Sequence, residues 1–388
     1  MPVWKLLVFV LLVQTPVSLL VHWMVGSRLA LVLGLTGPAS RALWGAIGLM
    51  VVMVPTALLL SRTRAPSLFG DVLSWMGFTW MGLVFVMFVA TSMGELAVVA
   101  SRGVGFASRR DLSGTIHGIR AVALVLGALG TAWGLRSALS TPVIHEVPVS
   151  IAGLPREFEG YRIAQLSDTH ISSLLGQGWA TSLAARINEA SPDLVVHTGD
   201  LVDGTVERLG PAVGELLRAH GRDGSLFVTG NHETYSGVAA WTRFVEANGW
   251  TVLQNRNLSI SRGGAVLHVA GISDARERAG QGGAVPDVEA ALRGIPPGET
   301  VILLAHQPVQ ARTAQHRGIG LQLSGHTHGG QIWPFAKLVK LQQPLVDGLG
   351  MVGDVPVFTS RGAGFWGPPV RLFAPSEVPV LVLHRAES

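Results

Sequence analysis

Five apolar runs in this chain end in the same way, and that repetition narrows what it can fold into. Residues 162–167 lead into Asp168-Thr169-His170, and residues 193–198 into Gly199-Asp200. Residues 225–229 lead into Gly230-Asn231-His232-Glu233, and residues 300–305 into His306-Gln307-Pro308. Residues 320–323 lead into Ser324-Gly325-His326-Thr327-His328-Gly329-Gly330. Each run has the length and apolar content of a buried strand. In α/β sheets, sites form beyond the carboxyl ends of the strands. On extended chain, His326 and His328 point the same way, so both aim at one place. The glycines around them let the backbone turn there. A polar turn with two exposed histidines would explain one such block, but not five blocks each ending in Asp, Asn or His.

Between the runs lie stretches with helical apolar spacing, at residues 179–190, 211–219 and 239–248. Strand alternating with helix argues for an α/β fold. Residues 143–151 read as an extended entry strand, and residues 253–257 with 266–271 as a hairpin or meander, so the sheet is expected to be mixed. The chain has no cysteine, which excludes disulfides, thiolate ligands and a cysteine nucleophile.

The first 140 residues differ in character. Residues 6–25, 42–60, 72–92 and 119–135 are apolar runs near the length that spans a bilayer. One alone would read as a buried core helix; four in succession, with arginines between them, read as membrane spans. The first run has only Lys5 before it and no clear cleavage pattern after it, so a retained helix is expected rather than a signal peptide. Gly130 and Gly134 have the small-residue spacing that permits close helix contact. Residues 1–140 carry ten Lys+Arg against three Asp+Glu, whereas residues 141–388 carry 19 against 22. The pI near 10.1 therefore belongs to the first part, and the second lacks the basic footprint of a nucleic-acid binder. With the N-terminus outside, the inner loops hold Arg28, Arg41, Arg102, Arg109 and Arg110, with Arg120 nearby; with it inside, they hold Lys5, Arg62, Arg64 and Arg136. The positive-inside rule leans towards the first, which puts residues 141–388 on the extracytoplasmic side. The expectation is a two-part integral membrane protein, 1–140 and 141–388, of a bacterial inner or plasma membrane.

The five blocks, in this order, resemble the calcineurin-like metallophosphoesterases over about residues 160–385. The strings Gly199-Asp200-Leu201-Val202-Asp203-Gly204 and residues 324–332 resemble a membrane-associated subgroup, some members of which hydrolyse UDP-2,3-diacylglucosamine. Residues 360–364 and 369–371 fit the same subgroup. The resemblance implies a β-sandwich of mixed sheets flanked by helices. It implies two divalent ions, the first held by Asp168, His170 and His328, the second by Asn231, His306 and His326, with Asp200 bridging. His232 would act as acid or electrostatic stabiliser beside the leaving oxygen, and Asp203 would orient it. The residue types agree independently: carboxylate, imidazole and amide ligands without thiolate suit Mn, Fe or Zn. Two such ions can hold a hydroxide and stabilise both oxygens of a phosphoryl transfer.

Gly204 stands where the protein Ser/Thr phosphatases of that family have a phosphate-gripping arginine, which counts against a phosphoprotein substrate. Arg361 and Arg371 are the remaining candidates for a substrate contact. His197 reads as a packed strand histidine, and Glu233 as a support for the ligands rather than a ligand. The expected activity is hydrolysis of a phosphate ester or pyrophosphate by a metal-bound hydroxide, with a lipid-linked substrate held at the bilayer. Residues 332–335 and 365–366 suit a lipid contact or core packing equally. The alternatives are a soluble phosphodiester substrate, or a non-catalytic interaction module, which the complete ligand set disfavours.

Overall fold

The computed structural model describes residues 12, 14–60, 68–108, 111–279 and 283–386. Lys5, Arg62, Arg64, Arg109 and Arg110, and the start of the first apolar run, lie outside them. By its internal contacts the chain divides into two units, Met1–Arg136 with Gly367–Leu372, and Ser137–Trp366 with Phe373–Ser388. The short second piece of the first unit is a feature that no pattern in the sequence announced.

The first unit is helical: α1 (Thr15–Val32), α2 (Gly37–Leu60), α3 (Leu68–Ser108) and α4 (Ser113–Leu139). All four are long and apolar enough to cross a membrane. The 41 residues of α3 make a rod of about 60 Å at 1.5 Å per residue, about twice the ~30 Å hydrocarbon core. It runs on beyond the apolar stretch 72–92, and residues 93–108 hold no proline to break it.

Two polar ties join helices that lipid-like surfaces alone would hold weakly. His22 on α1 accepts from Trp80 Nε1 on α3 at 2.8 Å, while its Nδ1 donates to the Ser18 carbonyl at 2.7 Å. Indole only donates, so the tautomer follows from the partner. Glu95 on α3 accepts from Arg120 of α4 at 2.7 and 3.0 Å and from Arg28 of α1 at 3.2 Å. Gly134 on α4 has its use in the segment Gly367–Leu372 rather than in helix pairing: a Cβ there would lie 2.5 Å from a Val370 methyl. Gly82 on α3 meets the other Val370 methyl at 2.7 Å, and the Arg371 amide donates to the Gly134 carbonyl.

Glu95→Ala is predicted to leave two guanidinium groups around an empty place, at a cost on the order of 1–3 kcal/mol. Thermal unfolding of the detergent-solubilised chain should rank wild type above Glu95→Gln and that above Glu95→Ala. Equal midpoints for wild type and Glu95→Ala would remove this cluster from the packing of the helices.

The second unit is a sandwich of two six-stranded sheets. In chain order its elements are β1 (Val143–Ile151), β2 (Arg162–Leu166), α5 (Gln177–Glu189), β3 (Leu194–His197), α6 (Val206–Leu216), β4 (Ser225–Phe227), α7 (Asn231–Ser236) and α8 (Val238–Ala247). Then follow β5 (Thr251–Val252), β6 (Arg256–Arg262), β7 (Ala265–Gly271), α9 (Val288–Leu292), β8 (Val301–Leu304), β9 (Ile319–Ser324), α10 (Ala336–Val339), β10 (Gly348–Val352), β11 (Val355–Thr359) and β12 (Glu377–Arg385). The sheet orders are β1-β12-β2-β3-β4-β5 and β10-β11-β9-β8-β7-β6. Strands β2 to β5 run parallel, as do β7, β8, β9 and β11. The antiparallel pairs are β12 with β2, β6 with β7, and β10 with β11. Both sheets are therefore mixed, as the sequence implied.

Strand periodicity builds the core. Ile163, Leu194, Val196, Ile302, Leu304, Leu321 and Leu323 point between the sheets. Their neighbours Ala164, Leu166 and Val195 point outward onto Leu183 and Ile187 of α5, Val213 of α6 and Trp241 of α8. Val301 and Leu303 pack with Val288 and Ala291 of α9. Burial on both faces is why these strands read as unbroken apolar runs. Two local readings shift. The helix expected at 211–219 begins at Val206, because the Arg208 and Leu209 amides close its first turn on the Thr205 carbonyl before Pro211 is reached. The hairpin is β6–β7, turned by Gly263 and Gly264, both in the left-handed region.

Candidate metal centre

The seven sequence-predicted ligands all follow parallel strands. Asp168 and His170 follow β2, Asp200 follows β3, and Asn231 opens α7 after β4. His306 follows β8, and His326 and His328 follow β9. The first sheet thus contributes four residues and the second three. Asp168, His170, Asp200, His326 and His328 all have φ between 42° and 71°. Left-handed backbone at non-glycine residues costs on the order of 1 kcal/mol each and clusters where geometry is held for a purpose. The fit is tight around them. A Cβ on Gly325 would sit 1.9 Å from Ser167 Oγ and 2.1 Å from Asp168 Oδ2, and one on Gly230 2.2 Å from Asp200 Oδ1.

Ligand atoms fall into overlapping groups, each within 4.8 Å: Asp168, His170 and His328; Asp200, His306 and His326; and His170, Asp200 and His232. Asp200 belongs to two of them. Its Oδ2 lies 3.2 Å from His306 Nε2 and 3.8 Å from His170 Nε2. Asp168 Oδ1 is 3.4 Å from His328 Nε2. The His170 and His328 Nε2 atoms face each other at 3.1 Å, and His326 Nδ1 faces His306 Nε2 at 3.2 Å.

The chemistry of this donor set fits a divalent cation. His306 Nδ1 donates to the Thr198 carbonyl at 2.8 Å, and His170 Nδ1 to Asp203 Oδ1 at 3.2 Å. In the neutral rings both Nε2 atoms then present lone pairs to carboxylate oxygens and to other imidazoles, an arrangement that a cation resolves. Asn231 Oδ1 is buried with no hydrogen-bond partner among the described residues. It sits between Gly230, packed on Asp200, and His232, whose amide donates to Asp200 Oδ1 at 2.8 Å. An orphaned buried carbonyl oxygen at a carboxylate is what an amide ligand looks like.

The charges respond to one another. Burial lowers the His306 imidazole, but the Asp200 carboxylate outweighs it and holds the ring well above its usual range. Burial and the facing His306 push His326 down to about 3. Burial opposes the charged form of His232 too, yet Asp200 and Asp203 raise it to about 9. Asp203 Oδ1 accepts from His232 Nδ1 at 2.5 Å as well as from His170. One carboxylate therefore fixes both a candidate ligand and the candidate acid, and the sequence suggested only the second tie. Glu233 accepts from the amides of Gly230, Asp200 and Leu201 at 2.6, 3.0 and 2.8 Å, so it secures the backbone under the site. His197 is enclosed by the Gly199 amide and the Thr169 hydroxyl, and burial drops it to about 3.

The structure places the remaining candidates and overturns one of them. Asn231 and His232 open α7, where successive side chains are about 100° apart, so the two diverge. Arg371, offered as a phosphate contact, is fully buried in the segment Gly367–Leu372, out of a substrate's reach. Arg361, the other candidate, pairs with Glu377 through Nη2 and lies against Gly329, beside His328. It braces the loop that carries that histidine.

Residues 161–330 match the family described as calcineurin-like phosphoesterase. A Danio rerio transmembrane protein with a metallophosphoesterase domain is 34% identical over 81% of this chain and 74% of its own length. A Helicobacter pylori metallophosphoesterase is 36% identical over 68% of this chain and 70% of its own. One from Bacillus subtilis is 30% identical over 71% of this chain and 96% of its own. This chain belongs to the calcineurin-like metallophosphoesterases. It is a metal-dependent phosphoester hydrolase carried on a membrane unit.

In this metallophosphoesterase the raised His232 has a thermodynamic signature. A histidine whose folded pKa, about 9, exceeds the ordinary 6.5 adds stability that is full below pH 6.5 and lost as pH climbs through 9. The chelator-treated protein should therefore lose thermal stability across that window, and Asp203→Asn should flatten the loss. Identical pH profiles for the two would refute the Asp203–His232 pairing.

Proposed function

We propose that this metallophosphoesterase holds two divalent ions, of Mn, Fe or Zn type, and hydrolyses a phosphate ester or pyrophosphate carried by a lipid. Asp168, His170 and His328 would hold one ion and Asn231, His306 and His326 the other, with Asp200 shared. Bound there, the ions would supply a nucleophilic water at neutral pH and positive charge for the phosphoryl oxygens. As water adds to phosphorus and the P–O bond to the leaving group breaks, the departing oxygen needs a proton. His232 is built to give it: Nδ1 is tied to Asp203, and the imidazolium is favoured by the carboxylates around it.

The observation that carries the lipid reading is a set of exposed aromatic side chains, one of which meets His232. The Trp366 ring lies 6.4 Å from the His232 ring, and Gln331, three residues after His328, grips the Trp366 backbone through both amide groups. Trp333 and Phe373 meet edge to face, and Phe335 is two residues from Trp333. All four are well exposed, Phe373 at 80%. Exposed aromatics of this kind suit the boundary between headgroups and acyl chains.

Two experiments test this reading. Elemental analysis of the reconstituted chain should find two ions, and fewer than one would overturn it. Asp200→Ala should lose both ions. His232→Ala should keep both while slowing hydrolysis of poor-leaving-group substrates by about 10²–10⁴-fold; if it instead sheds metal as completely, His232 is a ligand. Separately, Trp333→Ala with Trp366→Ala should reduce kcat/KM on phospholipid or UDP-diacylglucosamine in vesicles by at least about tenfold, leaving bis-p-nitrophenyl phosphate nearly unaffected. An equal loss on both substrates would favour a soluble substrate, and no hydrolysis of either by metal-replete wild type a non-catalytic module.

A further inference from the structure

The loop after β7 carries a guanidinium group to the His232 side of the centre and anchors it there. Asp274 is buried; its Oδ1 accepts from the Arg276 amide at 2.8 Å and its Oδ2 from Gln307 Nε2 at 2.8 Å. Gln307 is the residue after the candidate ligand His306. Glu277, also buried, accepts from the Thr229 hydroxyl, two residues past β4 and two before Asn231, and from the Ala284 amide at 3.0 Å. The turn 274–277 is thus pinned on both sides to the strand ends that build the site, and Arg276 between the pins is exposed. Its Nη1 donates to the Tyr235 hydroxyl at 2.7 Å. Tyr235 stands three residues from His232 on α7, hence on the same face, and its ring meets the His232 ring edge-on at 5.4 Å. A guanidinium anchored by its backbone, with donors to spare, beside the acid of a phosphoesterase is placed to grip phosphate oxygens.

We propose that Arg276, steadied by Tyr235, binds phosphate oxygens of the substrate, either those of the reacting phosphoryl group or those of a second phosphate beyond it. This rests on the phosphoesterase reading and names the group that would receive the substrate's charge. Tyr235 keeps the fork from folding away, and its hydroxyl can itself donate to the anion once the arginine turns to it.

The test uses the full chain in detergent, loaded with Mn²⁺, as wild type, Arg276→Ala, Arg276→Lys and Tyr235→Phe. Inorganic phosphate binding, followed by calorimetry, should weaken on the order of 10- to 100-fold in Arg276→Ala, with partial retention in Arg276→Lys and a smaller loss in Tyr235→Phe. Metal content should stay at the wild-type level. In turnover, KM should rise with little change in kcat. A rise on bis-p-nitrophenyl phosphate points to the reacting phosphoryl group; a rise on a diphosphate diester alone points to the second phosphate. Wild-type phosphate affinity and wild-type KM in Arg276→Ala overturn the proposal while leaving the phosphoesterase reading intact. If metal-replete wild type hydrolyses nothing, the phosphoesterase reading falls, and the calorimetry still decides whether Arg276 binds phosphate.

Discussion

Asp200 is a buried carboxylate that no lysine or arginine in the surrounding cluster neutralises; it faces imidazoles and amides instead. A carboxylate so placed is costly unless something nearby carries positive charge. In the protein alone, His306 takes up that burden, with its ring held well above the usual range by Asp200. Divalent ions would carry it better, and Asp200 belongs to two of the three ligand groups. Much of the catalytic unit can be understood as the means of bringing other donors to this one oxygen pair.

Neither sheet could do so alone. The parallel strands β2, β3 and β4 deliver Asp168, His170, Asp200 and Asn231, while β8 and β9 deliver His306, His326 and His328. The core between the sheets fixes the distance across which the two sets meet, and it is built from the strand residues that alternate with those facing the helices. Side chains such as Ile163, Leu194, Ile302 and Leu321 each contribute about 1.5–3 kcal/mol on burial. That reserve offsets what the site costs: five ligand residues in left-handed backbone, and glycines at 230 and 325 with no room for a methyl group.

The sequence made this region legible because ligands and strands occur in a fixed local relation. An apolar run followed directly by Asp, Asn or His needs no tertiary information to be noticed. What escaped depends on distance along the chain. The tie of Asp203 to His170, and the bonds that Glu233 takes from the Asp200 and Leu201 amides, are closures between separate loops with no spacing of their own. The membrane unit shows the same limit. Its four helices announce themselves by hydropathy, but the docking of Val370 against Gly82 and Gly134 joins residues more than 200 positions apart, and abundant glycine hid it. The same docking explains the fate of Arg371, which looked like a phosphate contact only because arginine beside a family motif invites that reading. Its amide is bonded to the Gly134 carbonyl and its side chain is buried.

His232 shows how the remaining specificity is shared out. Four groups set its position. Asp203 holds Nδ1, and the His170 ring lies across it at 4.6 Å. Tyr235 and Trp366 meet its ring edge-on at 5.4 and 6.4 Å. The first two are internal to the centre and fix the proton and its direction. The last two are exposed aromatics, one bonded to the Arg276 guanidinium and the other presenting an apolar ring to the surface. On the proposed reading, an acid with the Arg276 guanidinium to one side and the exposed Trp366 ring to another would suit a substrate that is anionic at the reacting end and greasy beyond it. A small soluble diester would give Trp366 little to cover, whereas a lipid-borne phosphate would use both sides of the same histidine.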